Sequence, residues 1–138
     1  MDLFNNEIVA YKLYNHQQTS LVIDTLKAAL VARNNPEGVI IHSDQGSEYK
    51  SNSYRDLAQE MNIQISFSDK GSPWQNGHIE SFFGRFKEES GDLNRFESLA
   101  EFIANIYQQI YYYNNQRIHT KLKMSPVQFK HRTRRKLS

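Results

Sequence analysis

Two short apolar stretches, Val39–Ile41 and Ile63–Phe67, constrain the fold more than any other feature of this sequence. Each comes shortly after a longer stretch with helical spacing of its apolar residues. Thr19 to about Arg33 carries apolar residues at helical spacing and predicts an amphipathic helix. Val39–Ile41 is a continuous apolar run too short for a helix, which favours a buried strand. A second helical pattern follows and ends near Met61, and Ile63–Phe67 then alternates apolar and polar residues like a strand with one buried face. This order predicts a mixed α/β fold.

The flanking segments extend the pattern in both directions. Leu3-Phe4, a turn at Asn5-Asn6 and the β-branched and aromatic residues of Glu7–Leu13 predict a hairpin. Ser51 or Ser53 is able to cap the second helix. Ser68–Gln75 is polar and predicts a loop. Two further helices are predicted, one from near Asn76 to about Glu89 and one opened by the capping box Ser98-Leu99-Ala100-Glu101. The last helix has a predicted core stripe of Leu99, Phe102, Ile103, Ile106, Tyr107, Ile110 and Tyr113.

Composition excludes several classes of protein. The chain has 138 residues, the size of one domain, and contains no cysteine, which excludes disulfides and thiolate metal sites. No apolar run approaches about 20 residues, and the N-terminus lacks the pattern of a signal peptide. We therefore expect a soluble, cytoplasmic protein without a membrane partner. From residue 121 onward there are seven basic residues and no acid, although the net charge is only +2. This basic tail is typical of phosphate-backbone binding, and equally of a solvated terminus.

Two carboxylates are candidates for a divalent-cation site. Asp44 closely follows the strand pattern at Val39–Ile41, where open α/β sheets place their ligands, and Glu80 lies in the first turn of the third helix. They are separated by 80 − 44 − 1 = 35 residues. Hard cations bind a few oxygen ligands and leave room for substrate phosphate. Each acid also has a simpler explanation, because Asp-Gln-Gly is good turn chemistry and an acid stabilises a helix N-terminus.

Other residues near these acids have both functional and structural interpretations. Lys87 lies seven residues after Glu80, on the same helical face, and Gly84 falls between them. The bare Gly84 backbone would let a DNA strand approach, or would allow close packing against another helix. Trp74 could stack on a nucleobase or anchor its loop. His42 would share a strand face with Asp44, so a His-Asp metal site is one interpretation, and a partly buried structural histidine is the preferred one.

The segments HSDQGSEY, at residues 42–49, and KGSPWQNGHIESFFGRFK, at residues 70–87, resemble the integrase catalytic core of bacterial insertion-sequence transposases. This is the second-reading-frame type of transposase, within the retroviral-integrase superfamily. The segment YYYNNQRIHTKLKMSPVQF, at residues 111–129, is similar to the C-terminal pattern of the same group. The resemblance covers nearly the whole chain.

The resemblance implies a ribonuclease-H-like mixed sheet flanked by helices, and DNA transposition by metal-dependent end cleavage and strand transfer. It implies that Asp44 and Glu80 are the second and third catalytic acids, that they hold two Mg²⁺ or Mn²⁺ ions, and that Lys87 contacts DNA. DNA, meaning element ends and target, is the expected partner, in a homo-oligomer. The candidate DNA-contacting residues are Lys87, Trp74, Arg117, Lys121, Lys123, Arg132, Arg134, Arg135 and Lys136.

One departure from the family pattern limits the implied activity. The family's first catalytic Asp lies on a first, central strand upstream of a segment resembling residues 1–9, and Asp2 is in the wrong position to replace it. We therefore expect residues 1–120 to be a partial catalytic core lacking that strand, followed by the basic tail at 121–138. Such a chain is expected to be inactive unless an upstream transposase fragment completes it. The alternatives are a non-catalytic DNA-binding remnant and a ribonuclease-H-like nuclease unrelated to mobile DNA.

Overall fold

The computed structural model describes residues 1–16 and 18–137, which form two compact units. The first, called here the α/β unit, is Val9–Gly77, and the second, the helical unit, combines Met1–Ile8 with His78–Ser138. Within the described residues, no helix is both long enough and apolar enough to cross a membrane.

The α/β unit contains the predicted alternation of helices and strands. Its elements are α1 (Thr19–Ala32), β1 (Ile40–Ser43), α2 (Ser47–Lys50), α3 (Asn52–Glu60), β2 (Gln64–Phe67) and a 3₁₀ turn at Pro73–Asn76. The two strands pair in parallel, with Ile40 opposite Gln64 and Ser43 opposite Phe67. The predicted cap of α3 is confirmed, because the Tyr54 N–H donates to the Ser51 hydroxyl at 3.3 Å.

An apolar core holds this unit together. Its buried residues come from both long helices and from the entry to β2, and they are Leu26, Leu30, Tyr54, Leu57, Ala58 and Ile63. Val39 and Ile41 pack against this cluster, whereas Ile40 remains 63% exposed. The prediction of a strand buried throughout is therefore wrong at Ile40. Alternate side chains of a strand point to opposite faces, and only one face of β1 meets the core.

The predicted hairpin at Leu3–Leu13 does not form in the described residues, where neither arm is a strand. Asn6 takes the positive φ of 59° that the turn prediction requires, and the Asp2 N–H donates to the Glu7 carbonyl at 2.8 Å. Beyond the turn, the side chain of Asn114 makes the backbone hydrogen bonds that a neighbouring strand would otherwise make. The Asn114 amide accepts from the Ile8 N–H and donates to the Ile8 carbonyl, both at 2.9 Å, so the backbone of Ile8 is satisfied without a ladder.

The helical unit contains α4 (Gly77–Ser90), a 3₁₀ turn at Leu93–Arg95, α5 (Leu99–Asn115) and α6 (Pro126–Leu137). The predicted cap at Ser98 is confirmed by the Glu101 N–H, which donates to its hydroxyl at 3.1 Å. Ile106, Ile110 and Tyr113 are buried as predicted.

Two members of the predicted α5 stripe, Leu99 and Tyr107, are exposed, at 72% and 54%. Leu99 lies in the first turn, where it lines an open cavity of about 290 Å³ with Leu93, Phe96 and Phe102. Tyr107 lies one residue beyond the buried Ile106, and therefore about 100° around the helix from it. The stripe is thus narrower than the sequence predicts.

Candidate functional site

Asp44 directly follows β1, at the end of the strand, as the sequence predicts. Its side chain is exposed, and one carboxylate oxygen, Oδ1, accepts from the Gly46 N–H at 3.0 Å. A Cβ atom at Gly46 would lie 3.1 Å from this oxygen and 3.1 Å from a carboxylate oxygen of Glu48. Glycine at this position therefore lets the chain turn tightly around the Asp44 carboxylate.

The ends of the two parallel strands are joined by Gln45. Its amide nitrogen donates to the Ser68 carbonyl just after β2 at 3.1 Å, and its amide oxygen accepts from the Lys50 ammonium at 2.8 Å. Backbone segments that follow β1 and β2 are therefore held side by side. Sequence reasoning did not single out Gln45, although it lies inside the motif at residues 42–49.

Tyr49 connects the Asp44 turn to the apolar core. Its ring packs edge-on against Tyr54, with centroids 5.5 Å apart. Burial, followed by the nearby negative charges of Asp44 and Glu48, raises the pKa of the Tyr49 hydroxyl, and burial raises the pKa of Tyr54 to about 12. Glu48 is thus a second acid near Asp44 that sequence reasoning did not identify, although it follows Asp44 by four residues.

His42 does not have the partly buried position that the sequence favours. It is exposed on β1, and its Nδ1 lies 2.9 Å from the Ser66 hydroxyl on β2. The pair of side chains links the two strands across their exposed face.

Glu80 lies in the first turn of α4, where the sequence predicts it, and its side chain is exposed. Phe82 fixes the orientation of this helix. It is buried and packs edge-on against Tyr113, with centroids 4.8 Å apart. Because Glu80 is two residues from Phe82, about 200° around the helix, burial of Phe82 directs Glu80 toward solvent.

The exposed face of α4 also carries Lys87 and Gly84. Apart from its chain neighbours and the nearby backbone of its own helix, a Cβ atom at Gly84 would meet no heavy atom of the described structure within 4 Å. The interpretation of Gly84 as a close helix-packing contact is therefore wrong, and the bare backbone is open to a large ligand.

Trp74 lies in the 3₁₀ turn before α4 and is 72% exposed, so it does not anchor its loop. Gln75 and Asn76 have that role instead. The Gln75 amide accepts from the Asp69 N–H at 2.7 Å and donates to the Asp69 carboxylate at 2.9 Å, and the Asn76 amide donates to the Ser68 hydroxyl at 3.2 Å. The indole is presented to solvent on a loop that is closed by side-chain hydrogen bonds.

The basic residues predicted to contact DNA have different surroundings. Arg117 forms an ion pair with Glu89 of α4. Lys121 and Lys123 are exposed in a loop closed by a bridge between His119 and Met124, and Lys123 has a positive φ of 60°. Arg132 is exposed on α6, whereas the side chains of Arg134, Arg135 and Lys136 lie outside the described residues.

His119 is a buried titratable group beneath that loop. Its ring packs edge-on against Tyr113 at 4.7 Å, and its Nε2 has no hydrogen-bond partner in the described structure. Burial lowers the pKa of His119, as do the positive charges of Arg117 and Arg85, against a hydrogen bond to the Tyr113 backbone. These surroundings favour the neutral form of the imidazole.

Comparison with known proteins identifies the family. Two family models, each described as integrase core domain, match residues 1–73 and 61–126. The chain belongs to the integrase core domain family of insertion-sequence transposases. The resemblance inferred from the motifs is thereby confirmed. Asp44 falls within the first match and Glu80 within the second.

Several transposases resemble this integrase core over most of its length. It is 42% identical over 130 residues to an uncharacterized transposase-like protein of Haemophilus influenzae. The aligned residues cover 94% of this chain and 60% of that protein. It is 35% identical over 134 residues to the putative transposase InsK for insertion sequence element IS150 of Escherichia coli, covering 96% and 47%. The transposase for insertion sequence element IS904 of Lactococcus lactis is 35% identical over 123 residues, covering 88% and 49%. The chain spans about half the length of the curated relatives it matches.

A solved structure shares the fold. A chain in the cryo-EM structure of the simian T-cell lymphotropic virus intasome in complex with PP2A regulatory subunit B56 gamma superimposes with a TM-score of 0.68 at 17% identity. The superposition covers 86% of this integrase core and 42% of that chain. Together with the parallel strand pair and its flanking helices, it confirms the predicted ribonuclease-H-like α/β fold.

The donor types of the integrase core fit a hard cation, but its own set of donors is small. Asp44 and Glu80 are exposed carboxylates, the ligand type that Mg²⁺ and Mn²⁺ prefer. Among the described residues there is no group of three or more His, Asp or Glu side chains that could hold a metal ion. Mg²⁺ is commonly held by one or two carboxylates together with substrate phosphates, so each of these acids is a suitable type of ligand for it.

Proposed function

We propose that this integrase core performs DNA transposition by metal-dependent phosphoryl transfer, and that Asp44 and Glu80 are catalytic acids it contributes. The observation that carries this proposal is the position of Asp44. It is an exposed carboxylate on a glycine turn at the C-terminal end of a parallel strand, inside an integrase core match. Ligands of open α/β sheets bind at that end of the strands.

Asp44 and Glu80 would hold Mg²⁺ or Mn²⁺, two ions being expected in the intact site. When bound, such a pair of ions activates a water molecule or a 3′-hydroxyl and stabilises the leaving oxygen of an in-line displacement. The remaining residues of the site position DNA. Lys87 would bind a phosphate near Glu80, and the exposed Trp74 ring would stack on a base.

Residues 1–120 would form the catalytic part of the chain. The basic segment that follows it, at 121–138, would bind the DNA backbone. Lys121, Lys123 and Arg132 are exposed and suited to phosphate contacts. Arg134, Arg135 and Lys136 belong to the same proposal from the sequence alone. Arg117 is paired with Glu89, so a contact with DNA would require it to exchange partners. Element ends and target are the proposed DNA partners, and joining two ends requires at least two copies of the protein.

We also propose that a further strand and a further acid complete the site from an upstream transposase segment. One edge of β1 supports this. The Gln64 N–H donates to the Val39 carbonyl and the Ser68 N–H to the Ser43 carbonyl, both at 2.9 Å. Strand alternation then turns the backbone of Ile40 and His42 away from β2, and the described sheet has no strand on that side. An added strand would pair there, beside Asp44.

Cleavage of terminal-repeat DNA in the presence of Mn²⁺ tests both proposals. The 138-residue chain by itself is expected to be inactive, and addition of an upstream segment with the missing strand is expected to restore cleavage. Robust cleavage by the chain alone would refute the requirement for an added strand.

The catalytic acids are tested in the restored protein. Asp44→Asn and Glu80→Gln should each abolish cleavage and leave DNA binding largely intact, because each removes a metal ligand and keeps the shape of the side chain. Asp56→Asn on α3 and Glu88→Gln on α4 are matched controls at exposed positions. Cleavage that persists in either Asp44→Asn or Glu80→Gln would refute the assignment of that acid.

A second candidate function is DNA binding without catalysis. It is favoured by the small donor set of the described residues and by the acid-free basic segment. Such a protein would bind DNA with a strong dependence on salt and would show no Mg²⁺- or Mn²⁺-dependent cutting, whatever segment is added.

A further inference from the structure

The basic segment of α6 contains one cation whose surroundings differ from those of its neighbours. The Lys130 ammonium donates to both carboxylate oxygens of Glu7, at 3.0 and 2.9 Å. Only 22% of the Lys130 side chain and 11% of the Glu7 side chain are accessible. The nearby Arg132 is exposed. Lys130 therefore already has an anionic partner, of the same charge type as a phosphate.

Buried hydrogen bonds keep that partner in place. Asn5 is fully buried, and its amide nitrogen donates to Glu7 Oε2 at 3.0 Å and to the Pro126 carbonyl in the first turn of α6 at 3.1 Å. Phe4 packs against Phe129 of the same helix, with ring centroids 5.5 Å apart. The N-terminal segment and α6 thus share a polar cluster in which each carboxylate oxygen of Glu7 has a donor.

These contacts select one face of α6. Phe129 and Lys130 contact the N-terminal segment, whereas His131 and Arg132 are exposed. Arg132 lies about 160° around the helix from Lys130, although only about 60° from Phe129. For Lys130 to reach a phosphate, the buried Glu7 carboxylate would have to lose its counter-ion, which is strongly unfavourable.

We propose that Glu7 is a positioning residue for nucleic-acid binding: its carboxylate holds the Lys130 ammonium away from the DNA backbone, so that Arg132, and not Lys130, contacts phosphate. This inference rests on the proposed function, since it assumes that α6 binds DNA. It divides the basic residues into a structural lysine and cations that contact phosphate, a division that the charge pattern alone does not provide.

The salt dependence of DNA binding by the full chain tests this division. Binding of a fluorescent duplex is followed by anisotropy between about 50 and 200 mM KCl, and the slope of log K against log salt falls by roughly 0.9 for each lost phosphate contact. Arg132→Met is expected to lower the slope by about that amount. The double variant Glu7→Gln with Lys130→Met removes a pair that does not contact DNA, so its slope should equal that of the wild type.

The single variant Glu7→Gln separates positioning from a merely structural role. It frees the Lys130 ammonium, so the slope is expected to increase, by at most about 0.9, whereas simple loosening of the fold would lower it. Circular dichroism of each variant checks that α6 remains folded.

Two results would overturn the proposal, and they are distinguishable. If the double variant loses as much slope as Arg132→Met while the wild type binds normally, Lys130 contacts DNA and only the positioning role fails. If the wild type shows no salt-dependent binding of duplex DNA, both this inference and the proposed DNA-binding function fail.

Discussion

The two units of this integrase core differ in the polar side chains that they bury, because the α/β unit buries the small side chains of Ser43 and Ser68, whereas the helical unit also buries amide, carboxylate and imidazole groups. The α/β unit has a buried cluster of apolar residues from α1, α3 and the start of β2. In the helical unit, fully or largely buried polar side chains stand beside the apolar ones, among them Asn5, Glu7, His119 and Ser125. Apolar burial depends on the amount of surface removed from water, whereas a buried polar group depends on one specific partner.

This difference places the candidate functional residues in contrasting surroundings. Asp44 is carried by a strand whose other face packs on an apolar core, through Val39 and Ile41. The cations from Lys130 onward are carried by α6, which contacts the N-terminal segment through the Glu7–Lys130 ion pair and the amide of Asn5. The polar contacts tolerate less substitution, because removing one partner leaves the other buried and unsatisfied.

The largest expected effect is in the apolar core of the α/β unit. Leu57→Ala removes a side chain that is only 9% exposed and should lower the free energy of unfolding by about 3 kcal/mol. Urea unfolding followed by circular dichroism measures this. Leu99→Ala in the helical unit, at 72% exposure, is the matched control and should change stability by less than about 0.5 kcal/mol. Equal losses in the two variants would contradict the burial pattern.

The polar contacts of the helical unit are tested at Asn114. Asn114→Ala leaves both the N–H and the carbonyl of Ile8 without their partner, and is expected to cost about 2 kcal/mol. Asn114→Asp keeps the acceptor but loses the donor, so it should not restore full stability. Asn115→Ala, which removes only a bond to the carbonyl of its own helix, is the control. A cost at Asn114 no greater than at Asn115 would show that the contact with Ile8 is dispensable.

The contrast between the units also explains which parts of the fold could be predicted. Helical spacing in α1 and alternation at Ile63–Phe67 report burial directly, so the α/β unit and the position of Asp44 followed from local patterns. The contact between Asn5 and Pro126 joins residues 121 positions apart, and no local pattern reports such a pair. For the same reason Glu7–Leu13, rich in strand-forming residues, was wrongly predicted as a hairpin arm, because strand formation requires a neighbouring edge.

In the candidate site, too, the features that depend on local sequence spacing were predictable and the long-range pairings were not. Exposure of Glu80 and Lys87 follows from the helical period, since Phe82 occupies the buried side of α4. The pairing of Arg117 with Glu89 and of Lys130 with Glu7 was not predictable, because a charged side chain can have many partners of opposite charge. The sequence therefore predicted where the cations lie along the chain, but it did not predict which acids they pair with.

Helix caps should contribute equally to the stability of both units. The difference between the units would then lie in their cores alone. Ser51 caps α3 and Ser98 caps α5, each through a backbone N–H three residues later. Ser51→Ala and Ser98→Ala are each expected to cost about 1 kcal/mol. Thermal unfolding measures both, with Ser53→Ala, an exposed serine within α3, as the control. A much larger loss at either cap would mean that the units also differ in how their helices are stabilised.

The smallest expected effect is a dependence of stability on pH that arises in the helical unit. Burial and the charges of Arg117 and Arg85 lower the pKa of His119 from its ordinary value of 6.5. The unfolded chain then binds a proton more readily than the folded chain, so stability is complete above about pH 6.5 and falls as the pH decreases below it. Protonation would place a charge on a ring packed against Tyr113, which in turn contacts Phe82 of α4.

Thermal unfolding at about pH 7.5 and about pH 5.5 measures this effect, the two values lying on either side of the ordinary histidine pKa. The wild type should lose stability at the lower pH, and His119→Gln, which cannot titrate there, should lose less. The exposed His131 provides the control, because His131→Gln should keep the wild-type response. An unchanged response in His119→Gln would assign the acid sensitivity to other groups, and would leave the helical unit with buried polar contacts that do not respond to pH in this range.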